Sequence, residues 1–317
     1  MITDEVFGAV SFPGDELDDF VVRRSDGRVT YNLAVVVDDI DMEITHVIRG
    51  VGHLSNTPKQ ALVFDALGRP RPVFAHLPTV LGADGRKLSK REGASAVVEL
   101  REAGYPPDAI VNYISLLGWS HPEEREVLTR DELVGAISLD RVGRSDTQMD
   151  PDKLSWMGGR HIAVEDLDEL TRHVRPFVDL ERYPRALDHA EAMVDVLRSR
   201  LSTYGEINRH LSVIYPDQDD DVAAARTRVA DDPSAAQVLQ HVGESLASVE
   251  PWEADVLSSA VRDAGARSGA RGAGIFHPLR VALIGSPKGP DLGKILGALG
   301  RDEALDRIRT TLSGSPG

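Results

Sequence analysis

The chain has 317 residues, of which 41% are hydrophobic and 27% are charged. This length suffices for two or three domains with cores of their own, and no apolar run approaches the roughly 18 residues that a membrane span needs. Cysteine is absent, which excludes disulfides, thiolate metal sites and cysteine nucleophiles. A net charge of −15 argues against a protein that binds nucleic acid non-specifically over its surface. An acidic enzyme can still bind RNA along one basic strip of its surface.

The first part of the chain is predicted to be mainly β structure. Residues 20–24 and 30–37 are interpreted as two strands, joined by the turn signal Asp26-Gly27. The apolar run within residues 34–37 does not alternate, which is typical of a strand buried on both faces of a parallel sheet. Another apolar-rich stretch follows at residues 44–48.

A strand–helix–strand unit is predicted next. The sequence Ser55-Asn56-Thr57-Pro58 offers side chains that can cap free backbone N–H groups and a proline suited to a first turn, so a helix should begin here and stop at Gly68. Residues 72–81 are then predicted to form a strand that enters a turn and a basic loop. This order indicates half of a doubly wound nucleotide-binding fold, with a sheet that is incomplete on its N-terminal side.

The remainder of the chain favours helices. Residues 96–103 and 107–117 are predicted to be short amphipathic helices, and residues 164–317 are predicted to be helical throughout, with breaks near Tyr215-Pro216 and across 267–274. The predicted fold class is therefore α/β followed by all-α.

The sharpest local feature is the basic loop Lys87-Leu88-Ser89-Lys90-Arg91. Short basic loops are commonly solvated surface turns. This one, however, follows the carboxyl end of a predicted buried strand, which is where α/β sheets bind ligands. Its ammonium groups and the Ser89 hydroxyl could stabilise charge that develops on the phosphates of ATP while an adenylate forms.

The same loop resembles the Lys-Met-Ser-Lys-Ser motif of class I aminoacyl-tRNA synthetases, in the form usual for glutamyl-tRNA synthetases. Other stretches resemble that family in the same order along the chain, namely residues 23–27, 30–39, 44–50, 53–60, 118–120 and 276–285. Several motifs in the correct order argue strongly against coincidence, and the resemblance covers nearly the whole chain.

The resemblance implies three domains. Residues 1–92 would be the second half of a Rossmann-like catalytic domain, and residues 93–163 a mixed helical stem-contact region. Residues 164–317 would be a helical anticodon-binding domain of two subdomains, with a break near 216–230. That domain would read the anticodon loop by splaying and stacking its bases.

The resemblance also implies roles for individual residues. Tyr31 and Arg49 match positions that hold the substrate glutamate. A guanidinium can form two hydrogen bonds to a carboxylate and so distinguish glutamate from neutral glutamine, whereas a buried structural arginine is the alternative. His53 and Leu54 would lie near the adenosine, although a histidine beside a helix start is often structural. The expected ATP-binding loop comprises Lys87, Leu88, Ser89, Lys90 and Arg91, with Lys90 as the main contact.

Cosubstrate and partners follow from the same resemblance. ATP is implied, accompanied by Mg²⁺, and no ligand set for a metal is evident in the sequence. Arg69, Arg71 and Arg86 add to a local excess of positive charge that could receive the tRNA acceptor end or could be an ordinary solvated face. We expect glutamate and tRNA(Glu) as partners, no membrane or DNA, a monomer, and a cytoplasmic location, since the N-terminus lacks the basic segment of a secretory signal.

Three departures from the family pattern bear on activity. The 317 residues contain no His-x-Gly-His-type motif, which contacts ATP in the family. Val51-Gly52 stands where two acids are common, and Met157-Gly158-Gly159 stands where an asparagine is usual two positions after Trp156.

Two hypotheses from different classes result. The chain is a glutamate–tRNA ligase by family, incomplete and inactive by itself, or it is a non-catalytic tRNA-binding or partner-binding paralogue. Val51-Gly52 favours the paralogue, whereas the loop from Lys87 to Arg91, which retains the motif of the family, favours the enzyme. A gene fragment with ordinary drift also fits.

Overall fold

The protein's structure is a computed structural model that describes residues 1–14, 17–87 and 97–314. The chain divides into two compact units, residues 1–96 with 108–154 and residues 97–107 with 155–317. Every strand of the described residues belongs to the first unit, and the second unit is built from helices. None of the helices described is both long and apolar enough to cross a membrane.

A four-stranded sheet forms the centre of the first unit, in the order β2-β1-β4-β3, and a separate parallel pair joins β5 to β6. The strands are β1 (Ile2–Asp4), β2 (Gly8–Val10), β3 (His46–Gly50), β4 (Val73–Leu77), β5 (Val80–Leu81) and β6 (Thr147–Gln148). β1 pairs antiparallel with β2 and parallel with β4. β3 also pairs parallel with β4, and it lies at the edge of the described sheet.

Fourteen α-helices lie in the described residues. They are α1 (Tyr31–Asp41), α2 (Thr57–Ala66), α3 (Val97–Glu102), α4 (Pro107–Leu116), α5 (Arg130–Ala136), α6 (Pro151–Val164), α7 (Leu167–Val174), α8 (Ala190–Leu197), α9 (Ile207–Leu211), α10 (Asp220–Ala230), α11 (Pro233–Leu246), α12 (Ala254–Arg267), α13 (Ala273–Ile284) and α14 (Leu292–Ser313). A 3₁₀-helix, Val51–Asn56, leads directly into α2.

The predicted strand–helix–strand unit is confirmed. Helix α2 connects the parallel strands β3 and β4, as a crossover connection requires. The chain leaves this helix at Gly68, whose φ of 62° lies in the left-handed region. The predicted cap is wrong in detail: because the 3₁₀-helix precedes α2, the helix begins at Thr57, and the Asn56 side chain makes no capping hydrogen bond.

The predicted strand over residues 30–37 is wrong, because this segment forms helix α1. Thr30 has an extended backbone, and its carbonyl accepts hydrogen bonds from Leu33 N and Ala34 N at 3.2 and 3.0 Å. A short non-alternating apolar run fits a helix as well as a buried strand. Val36 is fully buried while its neighbour Val37 is 39% exposed, so the run is not buried on both faces.

The predicted strand over residues 20–24 is also wrong, although the turn after it is present. Arg24 N donates to Arg28 O at 2.8 Å, and Gly27 has a φ of 87°. A single bridge joins Arg23 to Val29. Since the chain passes from this turn directly into α1, no second strand follows to extend the pairing.

The prediction of a helical second half is confirmed. A single apolar core collects side chains from α7, α8 and α11–α14. The predicted break across 267–274 matches the end of α12 at Arg267 and the start of α13 at Ala273. The functional domain boundaries stay predictions.

Gly158 in α6 has a steric explanation within the second unit. A Cβ added there would lie 2.2 Å from the carbonyl oxygen of Ser202. The backbone at Ser202 therefore approaches α6 so closely that a side chain at position 158 would displace it. Glycine at position 158 therefore fits this close approach.

Candidate active site

Several of the candidate residues meet at the carboxyl ends of the parallel strands β3 and β4. Arg49 of β3 lies directly opposite His76 of β4 in the strand register. Thr57, the first residue of α2, lies beside both side chains. The carboxyl edge of parallel strands is where α/β folds bind ligands.

The Arg49 guanidinium is held along one side. Its Nε donates to His76 Nε2 at 3.1 Å, and its Nη2 donates to Thr57 Oγ1 at 2.9 Å. Nη2 also lies 3.4 Å from the carbonyl oxygen of His53. No residue in the described parts of the chain hydrogen-bonds the remaining nitrogen, Nη1. The half-buried guanidinium therefore keeps hydrogen-bonding capacity for a ligand.

Buried polar side chains lie next to Arg49. Thr57 and His76 are fully buried, and Asp4 at the end of β1 is 1% exposed. Asp4 Oδ2 lies 2.6 Å from His76 Nδ1, and Asp4 Oδ1 accepts from the backbone N–H groups of Phe7 and Val6 at 2.9 and 3.0 Å. Burial acts to raise the pKa of Asp4, but these hydrogen bonds outweigh it and hold that pKa below its usual value.

Tyr31 and His53 lie near each other. Tyr31 is the first residue of α1 and is 50% exposed. Its ring centroid lies 6.0 Å from that of His53, with an interplanar angle of 55°. His53 belongs to the 3₁₀-helix before α2, as does the half-buried Leu54. The His53 carbonyl contact with Arg49 links this pair to the arginine, whereas the roles assigned to Tyr31, His53 and Leu54 stay predictions.

The basic loop begins beside the 3₁₀-helix. Lys87 forms an antiparallel bridge with Leu81 across a turn in which Gly85 has a φ of 76°. A Cβ added to Gly52 would lie 3.9 Å from Lys87 Nζ, so the ammonium group sits where a residue-52 side chain would project. Leu88, Ser89, Lys90 and Arg91 lie outside the described residues, so their predicted contacts with ATP stay predictions.

The three arginines proposed for tRNA binding are not brought together. Arg69 and Arg71 line a cavity of about 470 Å³ at the amino ends of β3 and β4, which also contains Thr45 and Val73. Arg71 is engaged with Asp65, its Nε donating at 2.9 Å. Arg86, by contrast, lies on the turn that leads to Lys87, and its Nε is 3.9 Å from a carboxylate oxygen of Asp84.

The described residues do not form a metal site. In the described ranges, no three histidine, aspartate or glutamate side chains are grouped to hold an ion. No residue is therefore assigned to Mg²⁺.

Comparison with known families gives two matches along the chain. The family model described as "tRNA synthetases class I (E and Q), catalytic domain" matches residues 1–156, and the model described as "Anticodon binding domain" matches residues 169–312. The chain belongs to the class I tRNA synthetases of the E and Q group. Its fold is accordingly part of a Rossmann-like catalytic domain followed by a helical anticodon-binding domain.

Individual relatives extend over nearly the whole chain. "Glutamate--tRNA ligase 1" of Fervidobacterium nodosum is 38% identical over 317 residues, which cover 99% of this chain and 65% of the relative. "Glutamate--tRNA ligase" of Natranaerobius thermophilus is 36% identical, with 98% and 65% covered. A crystal structure of a glutamate tRNA ligase from Elizabethkingia meningosepticum in complex with its amino acid gives a TM-score of 0.77 at 25% identity, covering 98% of this chain and 65% of that one. The chain thus spans 65% of the length of these relatives.

Sequence reasoning missed the buried part of the site. Asp4 and His76 are 72 positions apart and meet only because β1 pairs with β4. One signal was available: His76 is a histidine in the middle of a predicted buried strand, and such a group needs a hydrogen-bonding partner.

Proposed function

We propose that this chain contributes the glutamate site, the ATP-binding loop and the tRNA-binding domain to glutamate–tRNA ligation. In that reaction ATP activates glutamate as the adenylate, and the glutamyl group is then transferred to tRNA(Glu). The observation that carries the proposal is the half-buried Arg49, anchored on one side and with Nη1 unbonded by any described residue, at the ligand-binding edge of the sheet.

The chemistry of Arg49 suits a carboxylate ligand. With Nε bonded to His76, and Nη2 bonded to Thr57 and to the His53 carbonyl, Nη1 is left to donate to a carboxylate oxygen. A hydrogen bond from the guanidinium to a carboxylate joins two opposite charges, whereas one to the neutral amide oxygen of glutamine does not. Arg49 therefore favours glutamate over glutamine.

The position of Lys87 supports the nucleotide half of the proposal. Its ammonium lies beside Gly52, two residues after the end of β3. Within residues 1–14, 17–87 and 97–314, no carboxylate forms an ion pair with Lys87. An ammonium group that is not neutralised by a carboxylate can interact with a phosphate.

The helical half supports tRNA as the partner. It matches an anticodon-binding family and packs around one continuous apolar core, which gives RNA-reading side chains a fixed support. We assign tRNA(Glu) as that RNA, a cytoplasmic location and a monomeric state on the same grounds.

A non-catalytic tRNA-binding paralogue is the second candidate. Val51 and Gly52 favour it, because the family commonly has two acids at these positions, beside Arg49 and Lys87. The same two residues, with the absence of a His-x-Gly-His sequence from the 317 residues, lead us to expect glutamate binding without robust adenylate formation by residues 1–317 alone.

Two assays on the 317-residue chain separate the candidates. Filter binding should show tRNA(Glu) retained above bulk tRNA, and equilibrium dialysis should show glutamate bound. Retention of tRNA(Glu) without any glutamate binding would replace the proposal with the paralogue. Glutamate-dependent ATP–pyrophosphate exchange, measured with tRNA present, then tests the expectation of weak adenylate formation, which robust exchange would contradict.

A further inference from the structure

A fully connected polar chain runs from β1 to Arg49 through the interior of the first unit. Its members are Asp4, His76, Thr57 and Arg49, and the first three are buried almost completely. Buried polar groups are costly unless each is hydrogen-bonded, so a complete chain that ends at a half-exposed cation requires an explanation.

The backbone fixes the first member of the chain. Asp4 Oδ1 accepts hydrogen bonds from the N–H groups of Val6, Phe7 and His76, at 3.0, 2.9 and 3.3 Å. This leaves Oδ2 directed at His76 Nδ1, 2.6 Å away. The carboxylate cannot rotate away without breaking all three backbone bonds, so it sets the plane of the imidazole ring.

Hydrogen-bonding chemistry then fixes the histidine tautomer. An ionised carboxylate only accepts hydrogen bonds, so Nδ1 of His76 must carry the proton directed at Asp4. A guanidinium only donates, so His76 Nε2 must offer its lone pair to Arg49 Nε, 3.1 Å away. The Thr57 hydroxyl lies within 3.1 Å of the same Nε2 atom and 2.9 Å from Arg49 Nη2.

These hydrogen bonds fix the orientation of the Arg49 guanidinium. Nε and Nη2 occupy one edge of the planar guanidinium, and both atoms of that edge are bonded to His76 and Thr57. The plane and the rotation of the group are thereby set, and Nη1 is the nitrogen left for a ligand. A carboxylate ligand then finds this donor in place and does not have to order a flexible side chain.

We infer that Asp4 and His76 are positioning residues, which aim Nη1 of Arg49 at the substrate carboxylate through the buried chain Asp4–His76–Arg49. The inference rests on the proposed function, because it takes glutamate as the ligand of Arg49. Neither residue touches the substrate; His76 acts through its Nε2 lone pair, and Asp4 acts through the tautomer and orientation of His76.

A matched pair of substitutions at His76 tests the inference. His76→Asn places an amide near Nδ1, so it can still donate to Asp4, but it removes the acceptor for Arg49. His76→Gln places its carbonyl oxygen near Nε2, so it can still accept from Arg49, but it withdraws the donor from Asp4. If His76 had only a structural role, His76→Asn, which still donates a hydrogen bond to the buried Asp4 carboxylate, would have the smaller effect in every measurement.

Glutamate binding to the full 317-residue chain is measured by isothermal titration calorimetry. We expect His76→Asn to weaken glutamate binding roughly 10-fold and His76→Gln by no more than about 3-fold, the loss expected for one charge-assisted hydrogen bond and its partial replacement. Glutamine serves as the control ligand, and its weaker binding should not change between the variants. Equal glutamate affinities for the two variants, or a weaker His76→Gln, would overturn the inference.

A second measurement needs no substitution in the buried chain. In a ¹⁵N spectrum of the parent, the Nε–H resonance of Arg49, assigned by its loss in Arg49→Lys, should exchange with water much more slowly than those of the exposed Arg28 and Arg130. Exchange as fast as theirs would overturn the anchoring. A slowly exchanging Nε–H in a chain that binds no glutamate would instead overturn the proposed function, so the two failures are distinguishable.

Discussion

Gly158→Ala tests the close approach of the Ser202 backbone to α6. The added Cβ would lie 2.2 Å from the Ser202 carbonyl oxygen, and ordinary van der Waals contact begins at 3.4 Å, so the backbone must move by 3.4 − 2.2 = 1.2 Å. Alanine gains about 1 kcal/mol of intrinsic helix stability over glycine, whereas overpacking against a rigid partner costs about 1–3 kcal/mol. We expect the cost to prevail, because the obstacle is main chain and not the end of a flexible side chain.

The expected net effect is a loss of about 1–2 kcal/mol, or roughly 2–8 °C in the melting temperature of a unit of this size, measured by differential scanning calorimetry. Gly297→Ala in α14 is the matched control in the same unit, since its nearest neighbour would be Ala192 Cβ at 3.7 Å, and it should leave stability unchanged or raise it slightly. Gly158→Asn, which introduces the residue usual in the family, should destabilise at least as much as alanine. A Gly158→Ala protein as stable as Gly297→Ala would refute the reasoning.

Two further predictions concern charged groups. Hydrogen bonds from the Thr129 backbone, the Arg125 side chain and the Thr129 hydroxyl hold the pKa of Glu132 at about 2. Because this pKa is lower in the folded protein than in the unfolded chain, ionised Glu132 stabilises the fold at pH values above about 4.5. That stabilisation is lost as the pH falls toward 2. Arg125→Gln should raise that pKa in an NMR titration, and an unchanged titration midpoint would contradict the assignment. Lys87→Gln, which removes the ammonium group beside Gly52, should weaken ATP binding in equilibrium dialysis; binding equal to that of the parent would show that Lys87 does not serve the nucleotide.

The parts of the fold that sequence reasoning predicted are those with redundant local signals. The unit β3–α2–β4 carries an apolar strand, a proline in the first helical turn, a terminating glycine and a second apolar strand, and all of these agree. Residues 30–37 gave a single ambiguous signal, an apolar run without alternation. Burial against α2, a tertiary contact, makes this run a helix with one buried residue, Val36.

The residues of the candidate site also differ in whether local sequence signals identify them. Arg49 is identifiable because its motif is contiguous in the sequence. Asp4 and His76 are not, because their partnership depends on the pairing of β1 with β4 and on the register that sets His76 opposite Arg49. Strand order and register are set by long-range packing, so the anchored guanidinium could be found only from the structure.

The central claim is that Arg49 recognises the side-chain carboxylate of glutamate. The most direct test is calorimetric binding of glutamate and of glutamine to the 317-residue chain and to Arg49→Gln, which keeps a polar side chain and removes the charge. The account predicts that the parent prefers glutamate and that Arg49→Gln loses that preference, with glutamate affinity falling at least about 10-fold, the loss expected for a charge-assisted hydrogen bond. A parent that binds the two amino acids equally, or an Arg49→Gln variant that still prefers glutamate, would contradict it.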